Sequence, residues 1–115
     1  MGGGEAWMLI GEALNLQQQG IRKEQAWTSL QEPITQRATK AVQLAPKDRN
    51  VLFLATWLLA PFAKINGKTK RLVGDYQRRL DRLGGPTDDA VEMIGGPKVY
   101  KHHRNLVKEV SSRWR

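Results

Sequence analysis

The sequence predicts an all-α protein: a compact bundle of five to six helices around a buried central helix at about residues 48–65. The segment 51–63, VLFLATWLLAPFA, contains one polar residue, Thr56, so a helix there is apolar on every side. The neighbouring segments carry apolar residues at helical spacing, and Gly and Pro residues separate them. Together these features indicate several amphipathic helices that cover one apolar helix.

The central helix is too short to cross a membrane. Thirteen residues rise about 20 Å, whereas a span needs about 20 apolar residues. Asp48 is predicted to cap its N-terminus, because its carboxylate can accept from the free amides of the first turn. Pro61 is expected to kink or end the helix, and Asn66-Gly67 to form a turn.

The N-terminal part predicts two helices. The first extends from Glu5 to Gln19, with Gly20 as its C-terminal signal. The second covers 21–45 and keeps one apolar stripe in phase through Pro33, which favours a kinked helix. Residues 1–4 (MGGG) are predicted to be a flexible, linker-like tail, and residues 5–115 to form the single domain.

The C-terminal part predicts three more helices. An amphipathic helix covers 68–83, a short acidic helix covers about 87–94, and the last helix covers 97–114. The sequences LGGPT at 83–87 and IGGPK at 94–98 flank the short helix. In both we expect a glycine to take the left-handed conformation after one helix and the proline to begin the next.

Charge is the strongest functional signal. The chain has 19 Lys and Arg against 11 Asp and Glu, a net charge of +8 and a pI near 10.2. Most of the excess lies in 67–84 and 97–115. A basic domain of this size is typical of proteins that bind nucleic acid or another anionic surface.

The bases of these two segments recur at helical spacing, away from the apolar stripes. Few acids neutralise them, and arginine offers a planar fork suited to phosphate. They are predicted to bind the phosphate backbone independently of sequence, in RNA or DNA. The predicted binding residues are Lys68, Arg71, Arg78, Arg79, Arg82, Lys101, Arg104, Lys108 and Arg115.

Residue patterns for catalysis are missing. The only histidines, His102 and His103, are adjacent and would point about 100° apart on a helix, so they cannot chelate one metal together. His103 is expected to be a half-buried core residue. The sequence has no cysteine, phosphate loop or Ser/His/Asp set. We therefore expect no enzyme activity, no cofactor and no metal.

A small, basic, all-helical chain without catalytic residues resembles the small subunit of CRISPR effector complexes, which serve antiviral defence. The MGGG start resembles systems in which this subunit is translated from within the large-subunit gene. The resemblance implies a helical bundle that stacks in several copies and stabilises guide and target strands. The resemblance concerns the size, the charge and the all-helical pattern of the whole chain. It involves no short motif, so it assigns no role to any residue.

These observations predict a non-catalytic subunit of a larger nucleoprotein assembly, bound to nucleic acid and to other protein subunits, which can include copies of itself. The absence of an evident signal peptide predicts a cytoplasmic location, and no membrane partner is expected. The alternative is a helical adaptor whose basic faces bind acidic proteins. Composition fits a ribosome-associated or a phage packaging protein equally well.

Overall fold

The computed structural model describes residues 2–112 and is all-helical, as predicted. Within this range six helices follow one another without a strand. They are α1 (Gly2–Ile21), α2 (Trp27–Leu44), α3 (Arg49–Ala63), α4 (Gly67–Arg82), α5 (Asp88–Met93) and α6 (Pro97–Ser112). None of them combines the length and the apolarity that a membrane span requires.

Helix α3 is the centre of the bundle and packs against all five other helices. Its residues 51–60 are buried with one exception, Trp57, which is half-buried. The polar side chain in this run, Thr56, donates its hydroxyl to the Leu52 carbonyl at 2.8 Å, so burying it leaves no unpaired donor. The prediction of a buried central helix is confirmed.

The boundary between the first two helices differs from the prediction. Helix α1 begins at Gly2, within the predicted tail, and continues to Ile21, so Gly20 does not end it. Gly20 is buried, and a Cβ there would lie 2.9 Å from atoms of Trp27 and Leu30. This glycine therefore allows α2 to approach α1 closely. Residues 22–26 form the connection, with Lys23 in the left-handed conformation at φ 61°.

Two prolines lie inside helices. Pro33 lies within α2 between the buried residues Leu30 and Ile34, so burial of the stripe holds the helix together across the missing amide. Pro61 lies in the last turn of α3, which ends at Ala63. The turn expected at Asn66-Gly67 begins α4, because the Asn66 side chain accepts from the Thr69 amide at 3.1 Å.

The two glycine pairs end helices as predicted. Gly84 and Gly85 have φ values of 95° and 80°, and Gly95 and Gly96 have 121° and 97°. In each pair the amide of the second glycine donates to the carbonyl oxygen five residues earlier. Gly85 donates to Leu80 at 2.9 Å, and Gly96 donates to Val91 at 3.0 Å. Both ends therefore close by the same left-handed motif.

The C-terminal end of α4 is also fixed by the start of α3. Arg49 donates to the carbonyl oxygens of Gly84 and Gly85, which adds a cation to the negative end of α4. The side chain of Asn50 bonds reciprocally with Thr87, which caps α5. These contacts set the direction of α4 relative to the core.

Candidate nucleic-acid interface

Helices α4 and α6 lie side by side and form a groove of about 250 Å³. Its lining is Gly74, Gln77, Arg78 and Asp81 from α4 and Arg104, Val107 and Lys108 from α6. Asp81 near the end of α4 shares a second hollow with Pro97 and Arg104 near the start of α6, so the two helices are antiparallel. The groove therefore combines residues that are distant in sequence.

Three predicted binding residues meet at this groove. Arg78 comes from α4, Arg104 and Lys108 come from α6, and all three side chains are exposed. The opposite side of α4 is anchored by buried residues, among them Val73 and Leu80, and α6 is anchored by Val107 and others. Packing of both helices on the core therefore holds the three cations on one surface.

Arg104 is held in place by Tyr100, one turn earlier. Its guanidinium donates to the Tyr100 hydroxyl at 3.3 Å and lies 5.8 Å from the ring centroid. The Tyr100 ring in turn packs edge-on against Phe53, with centroids 5.6 Å apart. The hydrogen bond to Tyr100 raises the pKa of Arg104 further above its ordinary value, so this cation persists at every physiological pH.

One acid, Asp81, lies at the end of the groove nearest Arg104. Its Oδ1 accepts from Nε2 of Gln77 at 2.8 Å. The carboxylate offsets part of the positive charge beside Arg104. At the other end, Arg78 and Lys108 have no carboxylate beside them among the described lining residues.

Other predicted residues extend the surface along each helix. Arg71 and Arg82 lie seven residues before and four residues after Arg78, so they share its exposed stripe on α4. Lys101 precedes Arg104 by three residues on α6 and is exposed. The structure thus gives two cationic stripes that flank one groove.

Two predicted residues lie elsewhere. Lys68 lines a different groove, between α2 and α4. Arg79 is turned toward the protein: it pairs with Asp75 at 3.4 Å, donates to the Pro46 carbonyl at 3.3 Å and lies 5.7 Å from the Tyr76 ring centroid. Arg115 lies outside the described residues.

Lys70 was not among the predicted residues. It precedes Gly74 by four residues and Gln77 by seven, on the stripe of α4 that faces α6. Its side chain is half-buried. Helical spacing places Lys70 on this stripe, but the sequence does not show which side of α4 faces α6.

His103 is more deeply buried than expected, at 4% exposure. Its ring packs edge-on against Phe53 and Trp57, with centroids 5.7 and 5.5 Å apart. Neither ring nitrogen has a hydrogen-bond partner in the described part of the chain. Burial, with a smaller effect of Arg104, lowers the pKa of His103 to about 4, so it adds no charge to the surface at neutral pH.

Three of the four tryptophans lie within the described residues, and none of the three is fully buried. Trp7 and Trp57 are half-buried, Trp27 is 40% exposed, and Trp114 lies outside the described residues. None of the first three lines the α4–α6 groove. Within the described residues the groove therefore presents charge and amide groups, without an indole on which a base could stack.

Comparison with protein-family models, with curated proteins and with solved structures gave no match. The described residues themselves offer two cationic stripes beside one groove.

Proposed function

We propose that this protein is a non-catalytic subunit of a larger nucleoprotein assembly and that it binds the nucleic-acid backbone. The observation that carries the proposal is the meeting of Arg78, Arg104 and Lys108 from two antiparallel helices at one groove. Packing on the core fixes the backbone positions of the three cations, and the contact with Tyr100 also holds the Arg104 side chain, which reduces the ordering needed on binding.

The chemistry of the groove favours phosphate. Among the described lining residues, two arginines offer planar donor forks and one lysine adds a compact charge, against the carboxylate of Asp81. The net charge of +8 adds long-range attraction to any polyanion.

We further propose the small helical subunit of a CRISPR effector complex, in the cytoplasm, as the narrower candidate. The support is the all-helical bundle, the small size and the basic surface, which are the features on which the resemblance depends. Contacts with other subunits, and with copies of itself, belong to this narrower proposal.

The test is the salt dependence of binding. Log K against log salt is measured for the parent, for the Arg78→Ala/Lys108→Ala variant, and for a Lys40→Ala/Lys64→Ala control of equal net charge. Both control residues are exposed and lie outside the groove. The groove variant is expected to lower the slope by about 0.7–0.9 per lost phosphate contact, and the control to change it less. Equal effects of the two variants would contradict the proposal.

A second candidate, the adaptor, is favoured by a different surface. Ile21, Trp27 and Ile65 are 57%, 40% and 76% exposed at the end of the bundle where α1 ends and α4 begins. The Trp27 ring packs on Phe62, with centroids 6.0 Å apart. The exposed bases nearby in sequence are Arg22, Lys23 and Lys64.

Apolar groups beside cations fit a protein partner with an acidic rim. The discriminating variant is Ile65→Ser. If this variant loses association with a copurified protein while its nucleic-acid affinity is unchanged, an adaptor surface is present. If the groove variant also leaves nucleic-acid binding unchanged, the adaptor becomes the leading function.

A further inference from the structure

A separate pocket, of about 250 Å³, lies between α1, α3 and α6. Among the described residues α1 and α6 do not pack against each other, although both pack against α3. The pocket is the gap between them, and Trp57, Ala60 and Pro61 of α3 line its bottom. It shares no lining residue with the α4–α6 groove, so the two sites are distinct.

The lining of this pocket is mainly apolar and carries no formal charge at neutral pH. Val99 and Leu106 of α6 add to the apolar residues of α3. None of the described lining residues is Lys, Arg, Asp or Glu, although the chain has a net charge of +8. Because a charge that leaves water needs a partner, the pocket disfavours phosphates and other ions. It therefore suits a neutral ligand.

Gln17 of α1 is a buried polar residue that lines the pocket without a partner. It is 7% exposed, and its side-chain amide forms no hydrogen bond with another described residue. The amide atoms keep some accessible surface, since the sealed, unpaired side-chain atoms of the described residues both belong to His103. The amide thus presents a donor and an acceptor to the occupant of the pocket.

Two aromatic rings also line the pocket. Trp57 is half-buried, and the ring of His103 packs edge-on against it, with centroids 5.5 Å apart. Planar ligands pack well against such rings in edge-on or offset arrangements. An apolar cavity of about 150 Å³ can hold benzene, so this pocket has room for two fused rings.

The form of the site favours a small molecule over a protein partner. A protein interface of ordinary size covers about 800 Å² on each side around an apolar centre. None of the exposed large apolar side chains of the described residues lines this pocket. Apart from Pro61, its apolar lining residues are buried or half-buried in a concavity, as in small-molecule sites.

We infer that this pocket binds a small, neutral heteroaromatic molecule. The hydrogen-bonding edge of the ligand pairs with the amide of Gln17, and its rings lie against Trp57 and His103. This ligand is additional to nucleic acid, so the inference goes beyond the proposed function and does not depend on it.

The experiment uses 7-azaindole as the probe, because its two fused rings carry an N–H donor beside an acceptor nitrogen. Indole, which lacks the acceptor, and indole-2-carboxylate, which adds a charge, are the comparison ligands. Proton–nitrogen correlation spectra of the full chain follow the indole N–H of Trp57 in the pocket and of Trp27 outside it. We expect saturable shifts at Trp57 only, 7-azaindole bound more tightly than indole, and the anion bound about tenfold more weakly.

A matched pair of variants tests the role of the amide. Gln17→Leu keeps the size of the side chain and removes the amide, and Gln18→Leu makes the same change at the next, exposed residue. Gln17→Leu should weaken the binding of 7-azaindole about tenfold and remove its advantage over indole. Gln18→Leu should bind both ligands as the parent does.

The inference is overturned if 7-azaindole causes no saturable shift at Trp57, or if Gln17→Leu binds it as tightly as Gln18→Leu does. A second measurement compares the affinity for a labelled nucleic-acid strand with and without saturating 7-azaindole. Unchanged affinity supports a distinct site, whereas displacement of the strand would overturn it. A protein that binds 7-azaindole but no nucleic acid would uphold this inference and contradict the proposed function.

Discussion

The indole of Trp7 in α1 donates its Nε1 hydrogen to Oδ2 of Asp48 at 3.2 Å. The other carboxylate oxygen, Oδ1, accepts from the amides of Asn50 and Val51 at 3.0 and 3.2 Å. One side chain thus caps α3 and fixes α1 to its first turn. Because Arg49 holds the end of α4, residues 48–50 connect several helices at one end of the bundle.

This arrangement predicts that Asp48→Ala destabilises the protein by about 2 kcal/mol, from the lost cap and the lost bond to Trp7. Asp48→Asn should lose less than about 1 kcal/mol, because asparagine caps helices about as well and keeps one acceptor. Urea unfolding monitored by circular dichroism measures both. Equal losses would mean that the charge, rather than the hydrogen bonds, stabilises this end.

Two glycines of α1 provide a matched pair for testing the contact between α1 and α2. A Cβ at Gly20 would lie 2.9 Å from Leu30 and Trp27, whereas a Cβ at Gly11 meets nothing within 4 Å. Gly20→Ala should therefore destabilise by about 1–3 kcal/mol through overpacking. Gly11→Ala should stabilise by up to about 1 kcal/mol, because alanine favours the helix. A Gly20→Ala protein with a raised melting temperature would show that α2 can move aside without cost.

The burial of His103 leads us to expect that the protein loses stability in acid. Its folded pKa of about 4 lies below the unfolded value of 6.5, so the unfolded state binds the proton more readily. The contribution of the neutral, buried His103 to the free energy of unfolding is complete above pH 6.5 and is lost as the pH falls toward 4. The difference corresponds to about 3 kcal/mol.

The measurement is the free energy of unfolding against pH for the parent, His103→Phe and the exposed His102→Ala. His103→Phe keeps a planar ring against Phe53 and Trp57 and removes the two unpartnered nitrogens. It should flatten the curve between pH 6.5 and 4, whereas His102→Ala should follow the parent. A parallel curve for His103→Phe would mean that carboxylates alone cause the acid loss.

The sequence predicted features that depend on local signals. The all-round apolarity of 51–63, the Asp48 cap and the glycine pairs at 84–85 and 95–96 are encoded within a few residues, and the structure contains them. The role of Gly20 was not predictable in this way, because Trp27 and Leu30 reach it from another helix. Packing against α2 therefore keeps Gly20 inside α1, although glycine is usually found at helix ends.

The same limit applies to the candidate interface. Helical periodicity placed Arg78, Arg104 and Lys108 on exposed faces, but it could not say that α6 lies beside α4. The elements packed against α4 determine which of its basic side chains remain on the surface and which contact other parts of the protein. Adjacent residues on one helix, such as Arg78 and Arg79, can therefore have different roles despite identical chemistry.

These two arginines give the most direct prediction for function. Arg78 is exposed at the α4–α6 groove, whereas Arg79 contacts Asp75, the Pro46 carbonyl and the Tyr76 ring. Arg78→Ala should lower the salt slope of nucleic-acid binding by about 0.7–0.9 and leave the melting temperature nearly unchanged. Arg79→Ala should leave the slope close to that of the parent.

The stability of Arg79→Ala should fall by less than about 1 kcal/mol, because its ion pair is partly exposed to water. Both variants remove one positive charge from the same helix, so general attraction to a polyanion falls equally in the two. Log K against log salt and thermal unfolding, measured on both proteins, separate a local phosphate contact from overall charge. If the two slopes fall together, binding depends on net charge alone, and the groove between α4 and α6 is not the binding site.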